Sequence, residues 1–246
     1  MNPHPLRQPR PQPRRRFTAV VLGSAAMALL AGTLPRSSRG TTQSALHATP
    51  RDFEGPYRPP RDTAWGGVNL MAEDGLTSPG SPLVFAGRVI DTRGRPQAGL
   101  QIQVWQANST GRYDFHPGET PGHGAPDQAF RGHGQARTDS GGWFAFRTIR
   151  PAGYRRTLLG FLPWTFVPHI HVAVRAADRD LLVTQADLDR VATGRIAPES
   201  GTQQALMQSD AMQQLIAATG KAVVEAAGTA AGAQLIRFDV VLAARA

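Results

Sequence analysis

The chain has 246 residues, a formal net charge of +9 and no cysteine. Seven arginines (Arg7, Arg10, Arg14, Arg15, Arg16, Arg36 and Arg39) stand among the first forty residues with no acid beside them, leaving 20 basic against 18 acidic side chains in the rest. A nearly neutral body argues against a phosphate-binding surface, so no nucleic acid partner is expected, and the missing cysteines exclude disulfides and thiolate metal sites.

Residues 1–40 read as an export signal. Arg14-Arg15-Arg16-Phe17 is a twin-arginine element, and the stretch from Thr18 to Ala31 that follows is apolar. The run is short and rich in Ala and Gly for a membrane span. It implies the twin-arginine export machinery as a partner and a periplasmic or secreted location. No Ala-x-Ala cleavage site stands out, which leaves a retained membrane anchor as the alternative. Residues 41–80 carry Pro, Gly, Arg and Thr with little periodicity and form an extended N-terminal arm, lying on the domain or partly disordered. Within the arm, Glu54-Gly55-Pro56-Tyr57 has turn chemistry, and Tyr57 by itself is a packing residue.

The third segment, residues 81–246, carries the strand signals. Leu83 to Asp91 is a first strand, the turn Thr92-Arg93-Gly94-Arg95-Pro96 follows, and Leu100 to Ala107 alternates as a second. Trp143 to Phe146 makes a third, entered through Asp139-Ser140-Gly141-Gly142. His169 to Arg175 and Leu181 to Thr184 come next, and Gln234 to Leu242 closes the set with Ile236, Phe238, Val240 and Leu242 on one face. Ala205 to Ala218 has helical spacing, with Leu206, Met212, Leu215 and Ile216 as its buried stripe. The fold class expected is mainly β: an antiparallel β-sandwich with long active-site loops and a short helical insertion before the last strand. The first loop runs from Ser109 to Gln135 and contains Tyr113, His116, His123 and His133. The second follows the third strand and contains Tyr154.

The most informative stretch is Pro168-His169-Ile170-His171-Val172. Alternation along a strand puts His169 and His171 on one face and Ile170, Val172 and Val174 on the other. Paired imidazoles suit zinc, copper, iron or nickel, and the same pattern also serves partly buried histidines that bond to loops. The residues alone leave both readings open.

Val104-Trp105-Gln106-Ala107-Asn108, Gly111-Arg112-Tyr113, Thr138-Asp139 with Gly142, Thr148-Ile149 with Pro151 and Gly153-Tyr154, and Pro168-His169-Ile170-His171 together resemble the intradiol ring-cleavage dioxygenases. Glu54-Gly55-Pro56-Tyr57 and Leu182-Val183-Thr184-Gln185 resemble family motifs in the same order. The resemblance implies a non-haem ferric ion, Fe(III), held by Tyr113, Tyr154, His169 and His171. It implies a catechol-type small molecule and dioxygen as substrates and a cis,cis-muconate-type diacid as product, with Tyr154 doubling as a base and Gln185 supporting the site. Such a donor set is chemically apt, because a hard trivalent ion favours anionic phenolate oxygen and accepts neutral imidazole. This chain departs from the family at Phe166, where an arginine is usual, and at Arg155, where proline is common. Arg155, with Arg156 next to it, is the substitute cation in this reading; solvated loop charges are the alternative. Which catechol is used, and whether the chain forms a homo-oligomer, stay open. Phe166 favours one competing reading, an exported β-sandwich module that binds iron, a catechol or another ligand without turnover.

Overall fold

The computed structural model describes residues 46–60, 62–72, 77–116, 120–192, 201–220 and 234–243. The leader, with its twin-arginine element, lies outside the described residues. In chain order the strands are β1 (Pro82–Asp91), β2 (Gln101–Trp105), β3 (His133–Arg137), β4 (Trp143–Ile149), β5 (Tyr154–Leu158), β6 (Leu162–Phe166), β7 (His169–Ala176) and β8 (Arg179–Asp187). Helices α1 (Leu188–Ala192), α2 (Gln203–Met207) and α3 (Asp210–Thr219) come before β9 (Gln234–Arg237) and β10 (Val240–Leu242).

One sheet runs β10-β1-β4, with β9 also paired to β1; the other runs β3-β2-β7-β8; and β5-β6 is a separate two-stranded ribbon. Phe85, Phe146, Ile102, Val104, Ile170 and Val172 belong to the apolar cluster between the two sheets. The split of faces expected along β7 is present: Ile170, Val172 and Val174 enter this cluster, while Ala173 joins a second, smaller one with Trp105, Tyr113, Tyr154, Tyr57 and Val183. The histidine face of β7 therefore looks away from the main core, under a cap of aromatic rings.

The closing segment differs from the single strand expected over Gln234 to Leu242. It breaks at Phe238-Asp239 into two strands that both run parallel to β1. The break follows from local contacts. Phe238 N donates to Ala86 O at 2.8 Å, and Arg88 N donates to the Asp239 carboxylate at 3.1 Å. Gly87 is what lets the chain come so close, since a Cβ there would stand 1.9 Å from Phe238 O. The expected helix is also interrupted. Ser209 accepts from Met212 N and starts α3, while Thr202 accepts from Ala205 N and starts α2, so two capped helices replace one. Leu206, Met212 and Leu215 are buried as the spacing predicts.

The arm is more integral than an overlying extension. Val68, Leu70 and Met71 are part of the main core, and Tyr57 belongs to the outer aromatic cluster. Leu70 N donates to Arg147 O on β4, and Gln135 N on β3 donates to Gly66 O, so the arm covers an edge of each sheet.

Of the three histidines in the first loop, His133 opens β3, a strand the sequence reading left inside the loop. Its ring is buried edge-on to Trp65 and Phe115, and Nδ1 has no hydrogen-bond partner. Burial, helped by the charge of Arg131, pulls its pKa down from 6.5 to about 4. The folded form thus binds fewer protons than the unfolded chain between these values. Stability is greatest above about pH 6.5 and falls as pH drops toward 4. Urea unfolding should show that His133→Gln removes about 2 kcal/mol of the stability lost between pH 7 and pH 5.

Candidate metal centre

Three segments deliver four donor side chains to one buried point. His169 and His171 come from β7, two residues apart and hence on one face. Tyr154 opens β5. Tyr113 sits on the loop after β2, where Asn108 shapes the turn: its side-chain oxygen accepts from Thr110 N at 2.8 Å and from Arg112 N at 3.0 Å. Gly111 takes the left-handed conformation, φ +85°, that completes the turn.

Tyr113 Oη lies 3.3 Å from His169 Nε2, 3.3 Å from His171 Nε2 and 3.4 Å from Tyr154 Oη, and the two Nε2 atoms are 3.2 Å apart. Donors bonded at about 2.0–2.2 Å to a shared centre, at angles of 90–120°, stand about 2.8–3.8 Å from one another. Every measured separation falls in that interval. The residues therefore fit a single metal ion, and the tyrosines are indispensable to it. No group of three or more His, Cys, Asp or Glu side chains among the described residues could hold one.

Protonation follows from the surroundings. Val167 O, which can only accept, lies 2.6 Å from His169 Nδ1, so the neutral ring carries its proton there and presents the Nε2 lone pair to the cluster. Burial holds the pKa of His169 low and that of His171 well below its ordinary value, and the neighbouring His169 adds to the latter. Burial also raises the phenols, Tyr113 well above 10 and Tyr154 to about 12. Without a cation the cluster is neutral, and two phenolates offset two of the charges of a trivalent ion.

Aromatic packing holds the ligands in place. Trp105 is the cross-strand partner of His171 and stacks on it with ring centroids 4.8 Å apart at 3°. Arg58 caps the other ring face of Trp105 at 5.3 Å and pairs with Asp180. Tyr57 stacks on Tyr113 at 4.5 Å. Gly55 brings the arm against His171, with room for no more than a Cβ 3.3 Å from Cε1.

A cavity of about 280 Å³ opens onto this centre, with Tyr57, Tyr154, Phe166, His169, His171 and Gln185 in its wall. Tyr113 lies deeper and is not on the wall. Gln185 is paired across the sheet with His171, and its amide donates to Phe53 O in the arm. Phe166, cross-strand to Tyr154, stacks on that ring at 5.0 Å. The structure corrects one residue. Arg155 points away from the cavity and is exposed, because it alternates with Tyr154 along β5; Arg156 returns to the cavity wall, its guanidinium 5.1 Å over the Tyr57 ring. Tyr57 and Trp105 were not singled out as site residues, although each lies in a quoted motif and alternation places Trp105 on the histidine face.

The family model described as Dioxygenase matches residues 53–244. The chain is 34% identical over 155 residues to catechol 1,2-dioxygenase 2 of Acinetobacter lwoffii, covering 57% of this chain and 51% of that protein. It is 36% identical over 102 residues to the protocatechuate 3,4-dioxygenase beta chain of Burkholderia cepacia, covering 39% of each. The chain thus spans about half the length of the first relative and less of the second. Catechol 1,2-dioxygenase of Acinetobacter radioresistens has a similar fold, with a TM-score of 0.52 at 23% identity over 81% of this chain and 64% of that one. Sandwich, donor cluster and a family match over most of the sequence agree, and the chain belongs to the intradiol ring-cleavage dioxygenases.

Proposed function

We propose that this protein opens a catechol-type aromatic diol between its two hydroxyl-bearing carbons with dioxygen, giving a cis,cis-muconate-type diacid, at a non-haem ferric ion held by Tyr113, Tyr154, His169 and His171. The convergence of two phenol oxygens and two imidazole nitrogens at 3.2–3.4 Å beside an open cavity carries this reading. When bound, ferric ion supplies a Lewis acid that favours the diol as its anion and allows it to react with dioxygen.

The protein contributes position and charge. Of the two tyrosines in the donor cluster, Tyr154 is the one that lines the cavity, and it is the group placed to take a proton from an incoming diol. Tyr57 and Phe166 supply ring faces that confine a flat aromatic substrate and exclude water. Arg156 offsets negative charge on the deprotonated ring from the cavity wall. Gln185 ties the arm to β8 beside His171 and keeps that wall closed. The element Arg14-Arg15-Arg16-Phe17 and the apolar run after it support delivery by the twin-arginine route to the periplasm or beyond.

Phe166 supports a second reading, in which iron and catechol bind but the ring is not cleaved. One set of measurements separates the two. Loaded with ferric ion, the purified protein is expected to show a red to brown phenolate band, to shift that band when catechol is added, and to consume dioxygen under air. Colour without oxygen uptake assigns the second reading, and a colourless protein overturns the metal centre. In the same assay Arg156→Met should lower kcat about tenfold at unchanged iron content, and Arg155→Met should leave it unchanged.

A further inference from the structure

The large apolar side chains left exposed among the described residues are not scattered. They are Phe53, Leu159, Phe161, Leu162, Trp164 and Val167, with Leu159 83%, Phe161 76% and Phe53 63% exposed. Five of the six fall within residues 159–167, on or beside the turn and second strand of the β5-β6 ribbon, and the sixth comes from the arm on the cavity wall. Lone exposed apolar residues need no explanation, whereas a concentrated patch marks a binding surface. The ribbon pairs with neither sheet, so its tip has no core of its own to cover these side chains.

Continuity identifies what covers them. Phe53 and Leu159 line the same cavity as His169 and His171, so the patch begins beside the four donors. Trp164 is the cross-strand partner of Arg156, which also lines that cavity, so its exposed ring flanks the same opening. A ligand seated at the four donors and extending through the opening would cover Phe53 and Leu159, which the fold leaves in water.

We propose that Phe53 and Leu159 form an outer subsite for a bulky apolar substituent on the catechol ring, so that substituted catechols are preferred over catechol itself. This rests on the cavity being the seat of the catechol ring. Burying a branched alkyl group against these side chains is worth about tenfold or more in discrimination.

The test compares 4-tert-butylcatechol with catechol on the iron-loaded full chain. Binding is read by calorimetric titration under nitrogen, and kcat/KM by oxygen uptake under air. The expected result is a binding ratio of at least about tenfold in favour of the substituted ring, falling to near one in Leu159→Asn/Phe53→Ser. Asparagine tolerates the positive φ of 53° at position 159, and both side chains are mostly in solvent, so the fold should withstand the change. Using a ratio cancels any general loss of activity. Catechol binding with no preference in the parent protein overturns the subsite and leaves the functional reading standing; if neither compound binds, both fall. If the double variant keeps the ratio but turns a dimer into a monomer, or abolishes binding to lipid vesicles, the patch is a self-association or membrane face and the subsite is overturned.

Discussion

Tyr113→Phe is expected to lower the affinity of the four-donor cluster for ferric ion by more than about 100-fold while leaving the fold in place. The substitution deletes one atom, and that atom is the hub of the cluster, within 3.3–3.4 Å of both histidine nitrogens and the other phenol oxygen. Its ring stays stacked on Tyr57 and edge-on to Phe115, so packing is retained. Loss of groups that merely support a ligand already costs 10–100-fold in metal affinity, and loss of a donor exceeds that. Iron content per chain and the intensity of the visible band measure the effect. Thermal melting supplies a control, because ferric ion should raise the melting temperature of the parent protein and leave that of the variant unmoved. An unchanged band in a variant that retains its iron would remove Tyr113 from the centre.

Asp239→Ala is expected to cost about 3–5 kcal/mol of stability without altering the metal centre. Asp239 is 1% exposed and accepts from Arg88 N, from Arg237 Nε at 3.0 Å and from Arg237 Nη2 at 2.8 Å. Removing the carboxylate takes a buried, doubly hydrogen-bonded counter-charge from the Arg237 guanidinium at the point where β9 gives way to β10. For a domain of this size the loss corresponds to a melting temperature lower by about 10 °C, measurable by calorimetry or urea unfolding. Arg237→Met in the same chain should restore part of it, since the buried charge that Asp239 had paired is then removed as well. A shift of less than about 1 kcal/mol would show that water or relaxation compensates Arg237 at this site.

The variants address different levels of organisation. Asp239 and Gly87 keep the final segment against β1 where the ladder is interrupted between β9 and β10. The metal centre lies on the outer face of the other sheet, so damage to one should not imitate damage to the other. Arg156 and the exposed ribbon belong to a third level, the opening through which a substrate enters. They should alter turnover and selectivity while iron binding persists.

Much was legible where a local pattern carried the information. Alternation along β2 and turn-bounded apolar stretches in β1 and β7 identified those strands, and strand geometry put His169 and His171 on one face. The ordered motifs around Tyr113, Tyr154, His169 and His171 pointed to the family and to the four donors that the structure brings together. Local signals failed where a strand had neither an apolar run nor alternation of its own. Strand β3 reads His-Gly-Gln-Ala-Arg and its pairing comes from β2, while β6 is exposed along most of its length, so neither has an apolar period to detect. The division of the last strand depends on the bond from Arg88 N to Asp239, two residues 151 apart in the chain, which no local pattern reveals. The choice of Arg156 over Arg155 needed the strand phase of β5, which is set by where Tyr154 must point.

By its own residues the chain determined the type of fold, the placing of His169 and His171 on one strand face and the positive charge of its first forty residues, because periodicity and side-chain chemistry are properties of a sequence; the resemblance joined Tyr113 and Tyr154 to that pair. Only the tertiary structure decided that the donors meet within 3.4 Å, that Trp105 and Tyr57 clamp them, and that an uncovered apolar rim borders their cavity. Those relations join segments dozens of residues apart, and they exist only once packing has brought the arm, the loop after β2, the ribbon and β7 to the same place.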